Sequence, residues 1–339
     1  MDTMKAAVFE KQGSFVLKDV PVPSLAGDYH VLVEVEAVSI CGTDVHITAD
    51  PPGYIATDGT TLGHELCGTI IEKGKNVTHL DVGDRVVVNP NNYCGVCVYC
   101  RKNLPNQCSN IEALGIDYDG AFAKYVCIHS KVAYKIDKTV SPETAACAEP
   151  LACAINGLNK VNIKPGDSAV VIGAGPIGLM AAMLLKASGI ANLFILETSE
   201  YRIDFARKLN LGSVLNPLKD DARKVIYDKT EIGADFVFDM TGSQIAPSIQ
   251  LVRKGGSVVL FGVNKNSRTE IAQSEITTKE IAVLGTWLAN ATFPQAIKII
   301  EEKSIDLASL ITDVMPLDEI HSGIKKLASG QAIKIIIKP

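Results

Sequence analysis

The sequence has little that would suit a membrane or a nucleic acid. None of its apolar runs approaches the roughly 18 uninterrupted residues that a membrane-spanning helix needs. Its formal net charge of -5 at pH 7, with both signs interspersed, lacks the basic excess of a nucleic-acid-binding face. The first residues, MDTMKAAVFEKQGSF, lack the basic cluster and apolar run of a secretory signal. We therefore expect a cytoplasmic protein without a membrane or nucleic-acid partner.

A disulfide scaffold is not expected either, although the chain has nine cysteines. In a reducing cytosol, cysteines at short spacing are more often metal ligands than disulfide partners. Four of the nine are clustered between Cys94 and Cys108. A length of 339 residues exceeds the size at which a single hydrophobic core stops growing, so two domains are expected.

The rhythm of the sequence changes near its middle. Up to about residue 150, short β-branched runs such as HVLVEVEAVSI and DRVVVNP alternate with glycine or proline, which predicts a mainly antiparallel β domain. From Lys164 onward, strands such as NLFILE and ADFVFDM alternate with helical segments. That alternation predicts an α/β fold with a parallel, doubly wound sheet.

The segment GAGPIG indicates a dinucleotide site, because it follows an apolar strand and opens a helix. Gly173 permits the tight turn, Gly175 lets the backbone approach a pyrophosphate, and Gly178 lets the helix pack on the strand. Glu197 follows the next strand, where an acidic side chain binds ribose hydroxyls and repels a 2'-phosphate. NAD is therefore favoured over NADP, although Arg202 nearby could pair with a phosphate.

Two groups of residues have the composition of metal sites. Cys94, Cys97, Cys100 and Cys108 form C-x2-C-x2-C-x7-C, which predicts a closed structural zinc site. An iron–sulfur cluster is the competing interpretation, but the C-x3-C-P continuation of a ferredoxin run is missing. The second group is dispersed and offers the mixed donors of a catalytic zinc: Cys41, His64, Glu65 and Glu149.

These motifs together resemble the zinc-containing medium-chain alcohol dehydrogenases, in particular the sorbitol, threonine and butanediol dehydrogenase group. The resemblance runs the length of the chain through CGTDVH, GHE-x2-G, VGDRV, the four-cysteine segment, AEPL and GAGPIG. It implies a GroES-like, partly open β-barrel catalytic domain (1–152) with a structural zinc lobe (89–110). It also implies a Rossmann NAD-binding domain (153–287) and a tail (288–339) that returns to the catalytic domain.

The resemblance also implies a division of labour among the site residues. Cys41 and His64 would bind one catalytic zinc, with Glu65 or Glu149 completing the ligand set. Zinc would act as a Lewis acid on the alcohol while hydride passes to the nicotinamide. Thr43 and His46 would carry the proton to solvent. The cofactor would be contacted by the glycine turn and by loops at strand ends: Gly173, Gly175, Pro176, Ile177, Gly178, Glu197, Arg202, Thr241, Phe261, Gly262, Val263, Thr286 and Trp287.

The expected reaction is oxidation of a secondary alcohol of a polyol, vicinal diol, sugar alcohol or sugar-alcohol phosphate to a ketone. Residues 47–61 depart from the sorbitol dehydrogenase pattern, and we find no arginine cluster for a substrate phosphate. L-Threonine or 2,3-butanediol remains an alternative substrate. A carbonyl-reducing or non-catalytic relative is disfavoured by Cys41, His64 and Glu65, and a zinc-ribbon regulatory protein by the acidic charge. A homodimer or homotetramer is expected by analogy.

Overall fold

In the computed structural model, which describes residues 2–10 and 14–339, contacts divide the chain into two units. Met1 and residues 11–13 of the amino-terminal segment lie outside the described residues. The first unit combines Met1–Ala152 with Ala289–Pro339, and the second is Cys153–Leu288. Within the described ranges, no helix combines the length and the apolar character needed to cross a membrane.

The amino-terminal part of the first unit is built mostly from strands. Its strands are β1 (Thr3–Phe9), β2 (Phe15–Pro21), β3 (His30–Ser39), β4 (Glu65–Lys73), β5 (Arg85–Val88), β6 (Asn91–Asn92), β7 (Glu112–Ala113), β8 (Tyr125–His129) and β9 (Ala133–Lys135). Its helices are α1 (Gly42–Ile47), α2 (Val98–Arg101) and α3 (Pro142–Ala145), and α4 (Ala148–Leu158) continues into the second unit.

Strands and helices alternate through the second unit. They are β10 (Ser168–Ile172), α5 (Pro176–Ala187), β11 (Asn192–Leu196), α6 (Glu200–Lys208), β12 (Ser213–Leu215), α7 (Ala222–Thr230), β13 (Ala234–Asp239), α8 (Ile245–Leu251), β14 (Val252–Leu260), α9 (Gln273–Lys279) and β15 (Ala282–Gly285). The last segment of the chain adds α10 (Phe293–Glu301), β16 (Ile311–Pro316), α11 (Ile320–Ala328) and β17 (Lys334–Lys338) to the first unit.

The largest sheet of the first unit has the order β16-β17-β3-β4-β5-β9, and β8 also pairs with β3. All its pairs are antiparallel except β16 with β17. The predicted antiparallel β domain is therefore confirmed. The terminal strand β17 pairs with β3 at Ile336 and Ile337, so residues from both ends of the sequence share one core.

The sheet of the second unit is parallel throughout, with the order β12-β11-β10-β13-β14-β15. The central strand β10 is fully buried, as its continuous run SAVVI requires when helices cover both faces of a sheet. Pro176 at the start of α5 fits the helix because that position has no intrahelical N–H bond to lose. This is the Rossmann strand order, which confirms the predicted doubly wound fold.

Candidate functional site

Three of the predicted catalytic-metal ligands lie together in the first unit. The ligand atoms of Cys41, His64 and Glu65 are all within 4.8 Å of one another. Strand pairing brings them together, because Ser39 at the end of β3 lies opposite Glu65 at the start of β4, and Cys41 follows β3 as the N-cap of α1. A thiol, an imidazole and a carboxylate suit a catalytic zinc, which takes three protein ligands and keeps one position open.

Asp44, which the sequence reasoning did not single out, lies beside two of these ligands. It is fully buried, and its Oδ2 accepts a hydrogen bond of 2.8 Å from the N–H of Cys41. Its Oδ1 lies 3.7 Å from Nδ1 of His64, and neither atom has a hydrogen-bond partner among the described residues. A carboxylate beside the second nitrogen of a metal-binding histidine fixes the ring's orientation, so this pair fits a zinc site.

The groups around His64 determine its protonation. Burial lowers the pKa of His64, but the Asp44 carboxylate and the Cys41 thiol raise it, and the resulting pKa lies well above the usual value. Burial raises the pKa of the Cys41 thiol. Both groups must lose a proton when a metal binds, so zinc binding at this site is expected to weaken as the pH falls.

Glu65 already has two polar partners, one of them a lysine that the sequence reasoning missed. Its carboxylate accepts a hydrogen bond from the Ser39 hydroxyl and forms an ion pair with Lys334 of β17. Glu65 and Lys334 are each only 1% exposed. Burial alone would raise the pKa of Glu65, but the Lys334 ammonium brings it below its usual value. The structure therefore holds Glu65 as a charged carboxylate inside the core.

The other predicted catalytic residues differ in position. Glu149 is buried in the first turn of α4 and is not one of the three grouped ligands. Thr43 is half-buried, with its hydroxyl oxygen 3.6 Å from the Cys41 sulfur. His46 is exposed near the end of α1. Because Cys41, Thr43 and His46 belong to one short helix and its cap, they extend from the half-buried Cys41 thiol to the exposed His46 ring.

The four cysteines of the lobe converge as a closed metal site requires. Their sulfur atoms are grouped, with Cys97 lying 3.6 Å from Cys100 and 3.9 Å from Cys108, and Cys94 3.5 Å from Cys108. A tetrahedral zinc with Zn–S bonds of about 2.3 Å implies sulfur separations of about 3.8 Å. Backbone N–H groups of Cys100 and Ser109 lower the pKa of Cys97 to about 6, whereas burial and the neighbouring Cys97 side chain raise the pKa of Cys100 to about 12. These features fit one zinc ion.

Replacing Cys97 with serine is therefore expected to remove the lobe's zinc, so that the metal content falls from about two ions to about one per chain. Loss of a structural metal should also lower the thermal unfolding midpoint by about 5–10 °C. Metal analysis and a thermal melt measure both effects. The matched control is Cys127→Ser, a half-buried cysteine on β8 outside the lobe. Unchanged zinc content in Cys97→Ser would contradict the assignment.

Two glycines of the turn between β10 and α5 stand where only glycine fits well. Gly173 has φ +102°, a conformation that side chains disfavour. A methyl group on Gly178 would lie 1.9 Å from the carbonyl oxygen of Gly173, so only glycine fits there. Gly175 is the N-cap of α5, and Pro176 and Ile177 begin the helix. The first N–H groups of α5 are thus available to an anion such as a pyrophosphate.

Glu197 and Arg202 lie beside this turn. Glu197 is buried, and one carboxylate oxygen accepts a 2.8 Å hydrogen bond from Ala174 N–H. The other oxygen accepts bonds from the N–H groups of Thr198 and Ser199, at 2.7 and 2.9 Å. Glu197 therefore stabilises the glycine turn itself, a role that the sequence did not predict. Arg202 has a buried Nε without a hydrogen-bond partner among the described residues.

The remaining predicted cofactor residues follow the neighbouring strands of the same sheet. Thr241 follows β13, Phe261, Gly262 and Val263 follow β14, and Thr286 and Trp287 follow β15. Since the sheet is parallel, these residues lie at its carboxyl edge together with the glycine turn. Open α/β sheets bind their ligands at that edge.

Two family models match the chain. The model described as "Alcohol dehydrogenase GroES-like domain" covers residues 27–138, and the one described as "Zinc-binding dehydrogenase" covers residues 176–302. D-arabinitol dehydrogenase 1 of Uromyces fabae is 34% identical, over 99% of this chain and 97% of its own. D-altritol 5-dehydrogenase of Agrobacterium fabrum is 36% identical, over 97% of each chain.

Solved structures share the fold over its whole length. A putative zinc-binding dehydrogenase from Sinorhizobium meliloti 1021, bound to NADP, has a TM-score of 0.92 at 30% identity and matches over 100% of both chains. The 2R,3R-butanediol dehydrogenase of Bacillus subtilis has a TM-score of 0.90 at 29% identity, over 99% of both chains.

Proposed function

The chain belongs to the zinc-containing medium-chain alcohol dehydrogenase family, and on that premise we propose that it oxidises a secondary alcohol of a polyol or vicinal diol to a ketone with NAD. The grouping of Cys41, His64 and Glu65 carries the proposal, because their mixed donors leave an open position for substrate. We assign the first unit as the catalytic domain and the second as the cofactor domain.

Each site residue has a role in this reaction. Cys41, His64 and Glu65 would hold the catalytic zinc, which when bound would supply the Lewis acidity that lowers the pKa of the alcohol. Asp44 holds the His64 ring and Glu149 orients the neighbouring polar groups. Thr43 accepts the proton of the substrate hydroxyl and passes it to His46, which releases it to solvent. The four lobe cysteines would hold a second zinc, to which we assign a structural role.

Replacing His46 with alanine is expected to lower turnover by about a hundredfold and to change its dependence on pH. Histidine is the side chain that ordinarily exchanges protons near neutral pH, and its exposed position at the end of α1 suits release to water. The zinc content should stay at that of the parent. His321→Ala, at an exposed histidine on α11, is the control. An unchanged pH–rate profile for His46→Ala would remove this residue from the proton path.

The preference for NAD rests on Glu197. A buried carboxylate at the end of β11 carries a charge that repels a 2'-phosphate, and its bonds to Ala174, Thr198 and Ser199 hold it in place. Because the similar structure from Sinorhizobium meliloti binds NADP, both cofactors should be assayed. We expect kcat/KM with NAD to exceed that with NADP.

The substrate class is tested by following the absorbance of reduced nicotinamide. The protein, with its zinc content verified, is incubated with NAD or NADP and with polyols, vicinal diols, sugar-alcohol phosphates and L-threonine. The polyol and butanediol dehydrogenases among the relatives support polyols and vicinal diols as substrates. L-Threonine is included because an L-threonine 3-dehydrogenase is 34% identical to this chain. We expect polyols or vicinal diols to react fastest. A flat trace with every alcohol would overturn the proposal.

We further propose a cytoplasmic homodimer or homotetramer. None of the nine cysteines is in a disulfide, which suits a reducing compartment. The parallel sheet of the second unit ends in β15, an edge strand whose outer backbone groups are open to pairing with another chain. Light scattering after size exclusion tests the assembly, and a mass equal to one chain would contradict it.

A further inference from the structure

Asp239 is a buried carboxylate at the carboxyl edge of the second unit's sheet, and neither the sequence nor the proposed function gave it a role. It is the last residue of β13 and only 1% exposed. It lies opposite Ile172, the last residue of β10, one position before the glycine turn. A charged group at such a depth needs several hydrogen bonds to offset its lost hydration.

The following loop supplies those hydrogen bonds. Oδ1 of Asp239 accepts three, from the N–H of Thr241 at 2.8 Å, the hydroxyl of Thr241 at 2.7 Å and the N–H of Gly242 at 3.0 Å. Oδ2 accepts a fourth from the N–H of Gln244 at 2.7 Å. Residues 240–244 are thus folded around one side chain.

The backbone carbonyl of Asp239 holds a second loop. It accepts hydrogen bonds from the N–H groups of Phe261 and Gly262, at 2.9 and 3.0 Å. The two loops cross so closely that a methyl group on Gly262 would lie 2.2 Å from the nitrogen of Gly242. A displacement of residues 240–244 would therefore displace residues 261–263 as well.

The same loop also contacts the glycine turn. A methyl group on Gly173 would lie 3.0 Å from the side-chain methyl of Thr241, and Met240 N–H donates to the carbonyl of Ile172. Three segments to which we assign cofactor contacts thus meet at Asp239: the glycine turn, residues 240–244 and residues 261–263.

We propose that Asp239 is a positioning residue for the dinucleotide, whose carboxylate fixes the 240–244 loop and, through it, the glycine turn and the 261–263 loop. The inference rests on the proposed function. Asp239 makes its contacts with backbone and with Thr241, so it acts on the cofactor through those residues. An amide in its place can accept from Thr241 or from Gln244, but its NH2 group must face the other donors.

Asp235 offers a matched control on the same strand. It stands at the amino end of β13, where it accepts hydrogen bonds from the N–H and hydroxyl of Ser168 and pairs with Arg253 at 2.6 Å. Asp235→Asn thus also removes a hydrogen-bonded carboxylate, but from the edge opposite to the cofactor residues. A purely structural role for Asp239 predicts that both variants behave alike.

The test compares the dissociation constants of NAD and NADH for the parent, Asp239→Asn and Asp235→Asn, well below the melting temperature of each. We expect Asp239→Asn to raise both dissociation constants by about tenfold or more. Its kcat at saturating NAD should stay within about threefold of the parent's, and it should retain the parent's zinc content. Asp235→Asn should lower the melting temperature and leave both dissociation constants unchanged.

Amide hydrogen exchange tests the loop without a cofactor. In Asp239→Asn the amides of Thr241, Gly242 or Gln244 should exchange at least about tenfold faster than in the parent, whereas in Asp235→Asn they should not. Parent-like cofactor affinity in Asp239→Asn, or an equal loss in both variants, would overturn the inference alone. A parent protein that bound neither NAD nor NADP would overturn the proposed function, and the role of Asp239 with it.

Discussion

Replacing His64 with alanine is expected to leave about one zinc ion per chain and to lower the rate of NAD reduction at least about a thousandfold. The imidazole is one of three grouped ligands, and the remaining thiol and carboxylate are too few to hold a catalytic zinc. Losing the Lewis acid removes several kcal/mol of transition-state stabilisation. Metal analysis and initial rates with the best alcohol give both numbers.

The four-cysteine lobe should keep its zinc in this variant, because none of its cysteines lies in the group around His64. His79→Ala is the matched control, since Nε2 of His79 donates to the backbone carbonyl of Ser130 and the residue belongs to neither ligand group. It should retain about two zinc ions and the parent rate. Parent-like turnover in His64→Ala would show that the reaction does not depend on this site.

Replacing Lys334 with methionine is expected to lower the free energy of unfolding of the zinc-depleted protein by about 3–5 kcal/mol. Glu65 and Lys334 are both 1% exposed, so removing the ammonium leaves a buried carboxylate whose remaining hydrogen bond among the described residues comes from the Ser39 hydroxyl. The nearby His64 ring offsets only part of its charge. Urea unfolding of the first unit, to which both residues belong, measures the loss. Bound zinc should reduce it, because the metal would supply a positive charge to the same carboxylate.

Lys338→Met is the control for this prediction, because Lys338 lies on the same strand and pairs with Glu143 near the surface. Partly exposed ion pairs near the surface contribute about 0–1 kcal/mol, so this variant should unfold almost like the parent. Adding Glu65→Gln to Lys334→Met should recover most of the stability, since no uncompensated charge remains. Equal effects of the two lysine variants would show that Lys334 does not stabilise a buried charge.

The fold class could be predicted because its signals are local. The continuous apolar run of β10 predicts a buried parallel strand, and the alternating runs before residue 150 predict antiparallel strands. The structure has the corresponding parallel and mainly antiparallel sheets. The pairing of β17 with β3 could not be predicted from periodicity, since it joins residues from opposite ends of the chain. The short helices α8 and α9 also give weak periodic signals, because each has only seven residues.

Only those site residues that belong to sequence motifs could be predicted. The lobe cysteines have a recognisable spacing, Cys41 and His64 stand in motifs of the family resemblance, and the structure places these residues in two groups. Asp44 was within reach, as it stands three residues after Cys41 where an acidic residue completes a capping box. Lys334 and Asp239 could not be predicted. Lys334 pairs with Glu65, which is distant in sequence, and Asp239 acts mainly through backbone N–H groups.

The most direct test of the account is a zinc titration of the metal-free protein, with NAD reduction followed in the presence of its best alcohol. We predict that activity appears only with occupation of the site formed by Cys41, His64 and Glu65, and reaches its maximum near two zinc ions per chain. In Cys97→Ser the maximum should fall near one ion. Full activity without zinc, or activity in His64→Ala that follows occupation of the four-cysteine lobe, would contradict the account.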